Sequence, residues 1–270
     1  MKYTDDQYRE IFKQMIETIR NQSISEQLFA SHFDWFKNLN YKTMSDNDIF
    51  WVLVCVAFYS GMRASTVSKK LPTIKTYLYD FKKVRNYAEK EIEQILKDPN
   101  TIHYKTKIEA CIYNAKEFYE ILNKYGSFSK YIDSFGSPIN EANIKALIAD
   151  LRIRFRYLGE RTVYHFLTDL GFNVLKPDRV VCRIFERLGL IDRKDNIIQA
   201  VEVGKKIAGV IGYPIRCVDI IFVKYGQMGE DLFLGEPLMG LKDGICFEKN
   251  PKCFVCGIKQ YCNFYAKNFG

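Results

Sequence analysis

Four cysteines near the end of the chain have the clearest capacity for chemistry. They are Cys246, Cys253, Cys256 and Cys262, with six, two and five residues between them in CFEKNPKCFVCGIKQYC. Thiolates gathered in one loop are typical ligands of zinc or of an iron–sulfur cluster. A zinc ribbon usually has two close pairs, whereas this loop has one C-x-x-C flanked by single cysteines. Zinc, an iron–sulfur cluster and disulfides are therefore the alternatives.

The other four cysteines are spread through the chain. Cys55, Cys111, Cys182 and Cys217 stand singly in apolar, helical contexts, so we expect them to be small core residues. The N-terminal stretch MKYTDDQYREIFKQM is polar and does not resemble a signal peptide. An intracellular protein with reduced thiols is the expectation, and in that compartment clustered cysteines more often bind metal than pair as disulfides.

The apolar content is sufficient for a large core, and the positive net charge is compatible with an acidic partner. The 270 residues are 47% apolar, and the formal net charge is +8 with a pI of about 8.9. A basic excess is common among nucleic-acid-binding proteins, although it does not identify one by itself. The apolar run at 49–59 is too short to span a bilayer and is expected to be a buried helix.

Helical periodicity dominates the chain. In IFKQMIETIRNQ the apolar residues recur at spacings of three and four, and KIEACIYNAKEFYEIL shows the same pattern. Ser45 precedes the buried run and is a candidate N-cap. Alternating β patterns are few, and FLGEPLMG (233–240) is expected to be a loop. We therefore predict an all-α protein.

A basic turn lies between two of the predicted helices, in LIADLRIRFRYLGERTVYHFL. A helix starting at Glu160 would present backbone N–H groups to a phosphate, as a helix-hairpin-helix does when it holds a DNA backbone without reading sequence. The alternative is an ordinary helical corner with solvated arginines. The candidate DNA-binding residues are Arg152, Arg154, Arg156, Tyr157, Gly159, Arg161 and Thr162.

The cysteine spacing C-x6-C-x2-C-x5-C resembles the loop that holds the [4Fe–4S] cluster in the endonuclease III and adenine-glycosylase branch of DNA glycosylases. The position at the C-terminus fits as well. The resemblance implies a [4Fe–4S] cofactor with all four cysteines as ligands. Its expected role is structural, because the loop has too little apolar content to fold alone.

A second part of the chain, KPDRVVCRIFERLGLI (176–191), resembles the helix that follows the hairpin in the helix-hairpin-helix glycosylase superfamily. The resemblance places the catalytic carboxylate at Asp178. Breaking an N-glycosidic bond builds positive charge on the sugar, which a carboxylate stabilises while it orients the attacking water. The alternative is that Asp178 is an ordinary N-cap.

The middle of the chain is similar to 3-methyladenine DNA glycosylase I, in SGMRASTVSKK (60–70), IHYKTKIEACIYNAKEFYEI (102–121) and FRYLGERTVYHFLTDLGF (155–172). That family's base-contacting glutamate falls near Val56 here, and its stacking tryptophan near Ala64. Its zinc ligands have no visible counterpart. The hairpin also departs from the superfamily pattern, because Tyr157 stands where the first glycine is usual.

Two further expectations concern the chemistry. Arg161 replaces the lysine that forms a Schiff base in the endonuclease III hairpin, so we expect a monofunctional enzyme that uses water. A flipped-out base must be held against aromatic surfaces. The pocket candidates are Trp35, Phe58 and Tyr59, although most aromatic residues of such a chain belong to the core.

Together these observations predict two helical subdomains with a DNA cleft between them. Residues 45–170 form the bundle that ends in the hairpin, and residues 1–44 with 171–270 carry Asp178 and the cysteine loop. The expected protein is an intracellular, nucleoid-associated monomer that excises a damaged or modified base from double-stranded DNA. An alkylated purine is favoured. Alternatives are hypermodified pyrimidines of phage DNA, as a defence enzyme, or DNA binding without catalysis.

Overall fold

The computed structural model describes residues 2–22, 39–228 and 243–270, and for 232–233 and 236–237 the backbone alone. Within these residues the protein is all-helical apart from one short ladder, which confirms the predicted class. The chain divides into two compact units. We call residues 39–171 with 232–236 the hairpin unit, and residues 1–38, 172–231 and 237–270 the cysteine unit.

The hairpin unit contains eight of the described helices. They are α2 (Asp46–Tyr59), α3 (Ala64–Leu78), α4 (Phe81–Val84), α5 (Glu89–Lys97), α6 (Lys105–Tyr125), α7 (Phe128–Asp133), α8 (Glu141–Arg154) and α9 (Thr162–Asp169). Helix α2 is the predicted buried run, and nine of its fourteen residues are buried. The Ser45 hydroxyl accepts the Asp48 N–H, so the predicted N-cap is confirmed. At the centre of this unit the rings of Phe118 and Phe128 stack 4.5 Å apart.

The cysteine unit contains α1 (Asp5–Arg20), α10 (Arg179–Arg187), α11 (Ile197–Ile211), α12 (Ile215–Gly226) and α13 (Asn263–Phe269). Its core joins the predicted apolar face of α1 to α10, α11 and α12, with Phe12, Met15, Phe185 and Phe222 among the buried side chains. Phe185 and Phe222 meet edge to face, 4.8 Å between ring centroids. Short 3-10 turns at Cys253–Val255 and Lys259–Tyr261 shape the cysteine loop.

Part of the stretch expected to be a loop pairs with itself. The backbone of β1 (Leu232–Phe233) hydrogen-bonds with that of β2 (Glu236–Pro237) in a two-stranded sheet. Extended neighbouring segments satisfy each other's backbone N–H and C=O groups in this way, so the loop prediction was wrong for these residues. No helix in the described ranges is long and apolar enough to cross a membrane.

A buried lysine closes the C-terminal end of α2. The Lys107 ammonium, on α6, donates to the carbonyl oxygens of Ala57 and Phe58 at 2.8 Å and of Ser60 at 2.6 Å. The last carbonyls of a helix lack intrahelical partners, and positive charge is favourable at that end. Burial lowers the pKa of Lys107 to about 8. One side chain therefore satisfies three acceptors that would otherwise be left inside the core.

We expect Lys107→Met to lower the free energy of unfolding by roughly 2–4 kcal/mol, because it leaves three buried carbonyl groups without their donor. The matched control is Lys105→Met on the same helix, where an exposed ammonium pairs with Glu89 at 2.6 Å. That variant should lose much less stability. Urea unfolding of both variants measures the difference, and equal losses would contradict the capping role of Lys107.

Candidate catalytic and metal-binding sites

Asp178 stands at the N-terminus of α10, as predicted. Its Oδ1 accepts the backbone N–H groups of Val180 at 2.8 Å and Val181 at 2.9 Å. Both capping bonds go to one oxygen, so the cap does not use Oδ2. The helix dipole stabilises negative charge at this position. The geometry agrees with an ordinary N-cap and equally with a carboxylate fixed in place for catalysis.

The residues that precede Asp178 are tied to α12. The Asn173 side-chain oxygen accepts the Ile215 N–H at 3.1 Å, and the Asp219 carboxylate accepts the Lys176 N–H at 3.3 Å. Asp219 also pairs with Arg216 at 3.1 Å. Burial raises the pKa of Asp219 to about 6, against the opposing effect of Arg216 and Lys176.

A second titratable group lies further along α12. The pKa of Lys224 is lowered to about 7, mainly by burial and also by the charges of Arg216 and Lys176. The buried Lys224 and the half-buried Arg216 and Lys176 thus place positive charge near the Asp219 carboxylate. Sequence reasoning did not single out this group. The available signal was a charged residue inside the otherwise apolar run of α12, from Cys217 to Phe222.

The other end of α10 holds the cysteine loop. Arg183 donates to the carbonyl oxygens of Gly226 at 2.7 Å and Cys246 at 2.9 Å. Arg187 donates to the Cys246 sulfur at 3.1 Å and to the Phe247 carbonyl at 2.7 Å. A Cβ on Gly226 would lie 2.6 Å from Val180 and 3.0 Å from Arg183, so α12 needs a glycine to approach α10 this closely. Neither arginine was predicted, although their four-residue spacing places them on one helix face.

All four predicted cysteine ligands line one pocket. Cys246, Cys253, Cys256 and Cys262 surround it together with Arg187, and all are free thiols. The Tyr225 hydroxyl lies 3.2 Å from the Cys256 sulfur. Burial raises the pKa of the Cys256 thiol to about 11. Hydrogen bonds onto cysteine sulfurs and a rigid surrounding shell are usual features of metal centres.

Zinc and an iron–sulfur cluster require different distances between the thiolates that hold them. Within the described residues, no three side chains of His, Cys, Asp or Glu are drawn together as ligands of one metal ion. A tetrahedral zinc ion needs its sulfur ligands about 4 Å apart, because each Zn–S bond is about 2.3 Å. A cluster places iron and sulfide between the thiolates and so needs them further apart. The four cysteines that line the pocket supply sulfur ligands, which both zinc and an iron–sulfur cluster accept.

The other four cysteines lie where the sequence predicted them. Cys55, Cys111, Cys182 and Cys217 are all buried. Burial raises the pKa of the Cys111 thiol to about 12. Such thiols remain protonated near neutral pH and behave as small apolar residues.

The hairpin between α8 and α9 is built on an unusual residue. Tyr157, at the position where a glycine is usual, has φ of 65°. Its carbonyl accepts the Thr162 hydroxyl at 2.6 Å, and the Gly159 N–H donates to the same hydroxyl at 2.7 Å. Lys107 lies 5.3 Å from the Tyr157 ring centroid. The turn therefore begins at the left-handed backbone of Tyr157 and ends at Thr162, whose hydroxyl hydrogen-bonds to Tyr157 and Gly159.

Helix α9 begins at Thr162, two residues later than predicted. The prediction of a start at Glu160 was wrong because the Gly159 N–H is used by Thr162 within the turn rather than directed outward.

Asn114 on α6 holds the turn from outside the hairpin. Its amide donates to the Arg156 carbonyl at 3.0 Å, and its oxygen accepts the Arg156 N–H at 2.8 Å.

The predicted arginines differ in their surroundings. Arg152 and Arg156 are exposed, and the Arg156 guanidinium lies 4.1 Å from the Tyr113 ring centroid. Arg154 pairs with Asp150 at 2.6 Å and is half-buried. Arg161 is also half-buried. The exposed pair is thus presented to solvent, whereas Arg154 already has a carboxylate partner.

The predicted base-pocket residues do not form one surface. Trp35 lies outside the described residues. Phe58 is fully buried in α2, so its ring has no exposed face for a base. Tyr59 is half-buried, its hydroxyl lies 2.8 Å from that of Ser68, and its ring centroid is 5.9 Å from that of His165. Of the two described candidates, only Tyr59 retains exposed surface.

The two positions at which this chain departs from the family's pocket lie in different surroundings. Val56 is fully buried, and Ala64 is exposed at the start of α3. Neither side chain can hydrogen-bond to a base. The polar groups nearest to Tyr59 are instead Ser68 on α3 and His165 on α9, whose Nε2 lies 3.0 Å from the Asp169 carboxylate.

A family model described as methyladenine glycosylase matches residues 32–182, which is more than half of the chain. This match confirms the resemblance seen in the middle segments. The cysteine loop lies outside the matched residues.

Solved structures of 3-methyladenine DNA glycosylase I are similar to this chain. A single-residue variant in complex with 3-methyladenine is 25% identical, covers 47% of this chain and 77% of its own, and has a TM-score of 0.41. The Staphylococcus aureus protein is 21% identical, with 57% and 91% covered and a TM-score of 0.45. A solution structure is 21% identical, with 54% and 86% covered and a TM-score of 0.44.

We expect Tyr157→Gly to be more stable than Tyr157→Ala by about 1 kcal/mol, because alanine keeps the strain of a positive φ and glycine does not. The ring contact with Lys107 is lost in both variants, so it cancels. The same two substitutions at the neighbouring Arg156 serve as control, and there alanine should be the more stable. Urea unfolding gives the four values, and the absence of a sign reversal between the two positions would contradict the strain at Tyr157.

Proposed function

The chain belongs to the methyladenine glycosylase family, and we propose that it hydrolyses the N-glycosidic bond of an alkylated purine in double-stranded DNA and leaves an abasic site. Family membership makes it a DNA glycosylase for alkylated bases. Beyond family membership, the proposal concerns the substrate, the catalytic residue, the absence of lyase activity and the cofactor. The observation that carries the proposal is the Asp178 carboxylate fixed at the N-terminus of α10.

Asp178 acts on the sugar rather than on the base. As the glycosidic bond lengthens, positive charge develops on the deoxyribose, and a nearby carboxylate lowers the energy of that state. Two backbone N–H groups hold Oδ1. The carboxylate is therefore oriented before the substrate arrives, and Oδ2 is the oxygen that faces the sugar or the attacking water.

DNA is held by the hairpin. Its exposed arginines, Arg152 and Arg156, donate charge-assisted hydrogen bonds to phosphate oxygens. Contacts of this kind to the phosphate backbone do not depend on base sequence. Arg161 stands where a lyase would need a lysine, and a guanidinium cannot form a Schiff base. The product is therefore an abasic site with an intact strand.

The cofactor is a [4Fe–4S] cluster held by Cys246, Cys253, Cys256 and Cys262. The four free thiols around one pocket support this assignment, as does the hydrogen bond from Arg187 to the Cys246 sulfur. The cluster supplies cross-links between distant points of the cysteine loop. Hydrolysis requires no change of oxidation state, so the cluster takes no part in the chemical step.

The first test is release of bases from a panel of alkylated, oxidised, deaminated and naturally hypermodified DNAs. We expect wild type to release an alkylated purine and Asp178→Asn to do so at least 10²-fold more slowly, on the order of the effect of one electrostatic stabiliser. Asparagine caps a helix about as well as aspartate, so the fold is retained. The control is Asp80→Asn, which alters the equivalent cap of α4.

The outcomes of this experiment separate the alternatives. Equal release by wild type and Asp178→Asn keeps the glycosylase and removes Asp178 as its centre. Tight DNA binding with no base released from any DNA in the panel favours a binding protein without catalysis. Strand cleavage that accompanies base release would contradict the hydrolytic mechanism.

The second test concerns the cluster. Protein purified in air should be yellow-brown and contain about four iron atoms and four acid-labile sulfides per chain. Cys262→Ser should lose most of the iron, whereas Cys217→Ser, a buried cysteine of the same unit, should retain it. A colourless protein with one zinc ion per chain would contradict the cluster.

A further inference from the structure

Asp219 is a buried carboxylate that the proposed reaction does not use. It is the fifth residue of α12 and has 1% of its surface exposed. Its Oδ1 and Oδ2 lie 3.1 and 3.2 Å from the Arg216 guanidinium, and Oδ2 accepts the Lys176 N–H at 3.3 Å. A buried ion pair of this kind contributes little stability compared with apolar side chains of the same size. A role other than stability therefore has to be considered.

The backbone that Asp219 holds leads directly to Asp178. Only Pro177 separates Lys176 from Asp178, and the proline ring fixes its own φ. The Asp178 N–H donates to the Lys176 carbonyl at 2.9 Å, which closes a tight turn. The same peptide segment is thus fixed on one side by Asp219 and on the other by the cap bonds of α10.

A second hydrogen bond attaches the segment before Asp178 to α12. The Asn173 side-chain oxygen accepts the Ile215 N–H at 3.1 Å, at the start of α12. Residues 173–176 are therefore attached at both ends to the first five residues of α12. Removal of the Asp219 acceptor would break the hydrogen bond that joins the Lys176 N–H, two residues before Asp178, to α12.

We propose that Asp219 is a positioning residue that sets the location of the Asp178 carboxylate through the Lys176 N–H. The inference rests on the proposed catalytic role of Asp178. Displacement of a catalytic group by about 1 Å can cost 10²-fold in rate, so a single hydrogen bond two residues away can control catalysis. Asp219 itself touches neither the sugar nor the base.

The test compares three variants in single-turnover excision with protein in excess. Asp219→Leu removes the acceptor and is expected to slow excision by at least about tenfold, while the Kd for DNA stays within about twofold because the hairpin is unchanged. Asp219→Asn keeps a side-chain oxygen for the Lys176 N–H and should recover most of the rate. Val218→Ala is the matched control, since it trims a buried neighbour on the same helix and offers no acceptor in either form.

Hydrogen exchange supplies a readout that does not depend on activity. In Asp219→Leu, amides of the segment 173–182 should exchange faster, with little change in the peptides of α1 and α11. Val218→Ala should not raise exchange selectively in that segment. This measurement remains informative even if the excised base has not been identified.

The results distinguish the inference from the proposed function. If Asp178→Asn is inactive while Asp219→Leu excises at the wild-type rate, the inference is overturned and the function stands. If Asp178→Asn is fully active, the proposed centre fails, whatever Asp219 does. If Val218→Ala slows excision as much as Asp219→Leu at equal loss of stability, Asp219 is merely structural and the inference is overturned.

Discussion

The hydrogen bonds made by helix α10 are the constraint on which the candidate sites of the cysteine unit depend. At one end, two backbone N–H groups hold the carboxylate of Asp178. At the other, Arg183 and Arg187 hold the backbone and sulfur of Cys246. Between them, the buried ring of Phe185 packs in the core against α12. This nine-residue helix can hold a functional residue at each end only because its apolar face packs in the core and its polar face is left for these contacts.

Much of this arrangement follows from local sequence. An N-cap needs only Asp178 and the next three residues, and the cysteine spacing is contained in seventeen residues. Periodicity predicted the buried α2 for the same reason, since a helix is a local structure. Where a local rule failed, a neighbouring side chain had intervened: Thr162 used the Gly159 N–H and moved the start of α9.

The contacts that sequence did not predict join residues far apart in the chain. Lys107 reaches carbonyl groups about fifty positions earlier, and Asp219 binds an amide 43 positions earlier. No period or motif encodes such pairs, because only the packed fold brings them together. Both are buried charged residues, Asp219 within an apolar run and Lys107 on a helix that carries many other charges. Such a residue is rarely buried without a partner, so its presence signals a tertiary contact even when the partner is unknown.

The expectation that the family's base-contacting glutamate falls near Val56 bears on the class of base. A neutral base is a poor leaving group, so cleavage of its glycosidic bond is faster when a general acid or a directed hydrogen bond assists it. A purine alkylated on a ring nitrogen already carries positive charge and leaves without protonation. In the proposed site Asp178 supplies the one carboxylate and the buried Val56 adds none, which is sufficient for a base that already carries positive charge. The same site would be poorly equipped for an unmodified base, and this chemical selectivity requires no tight pocket around the base.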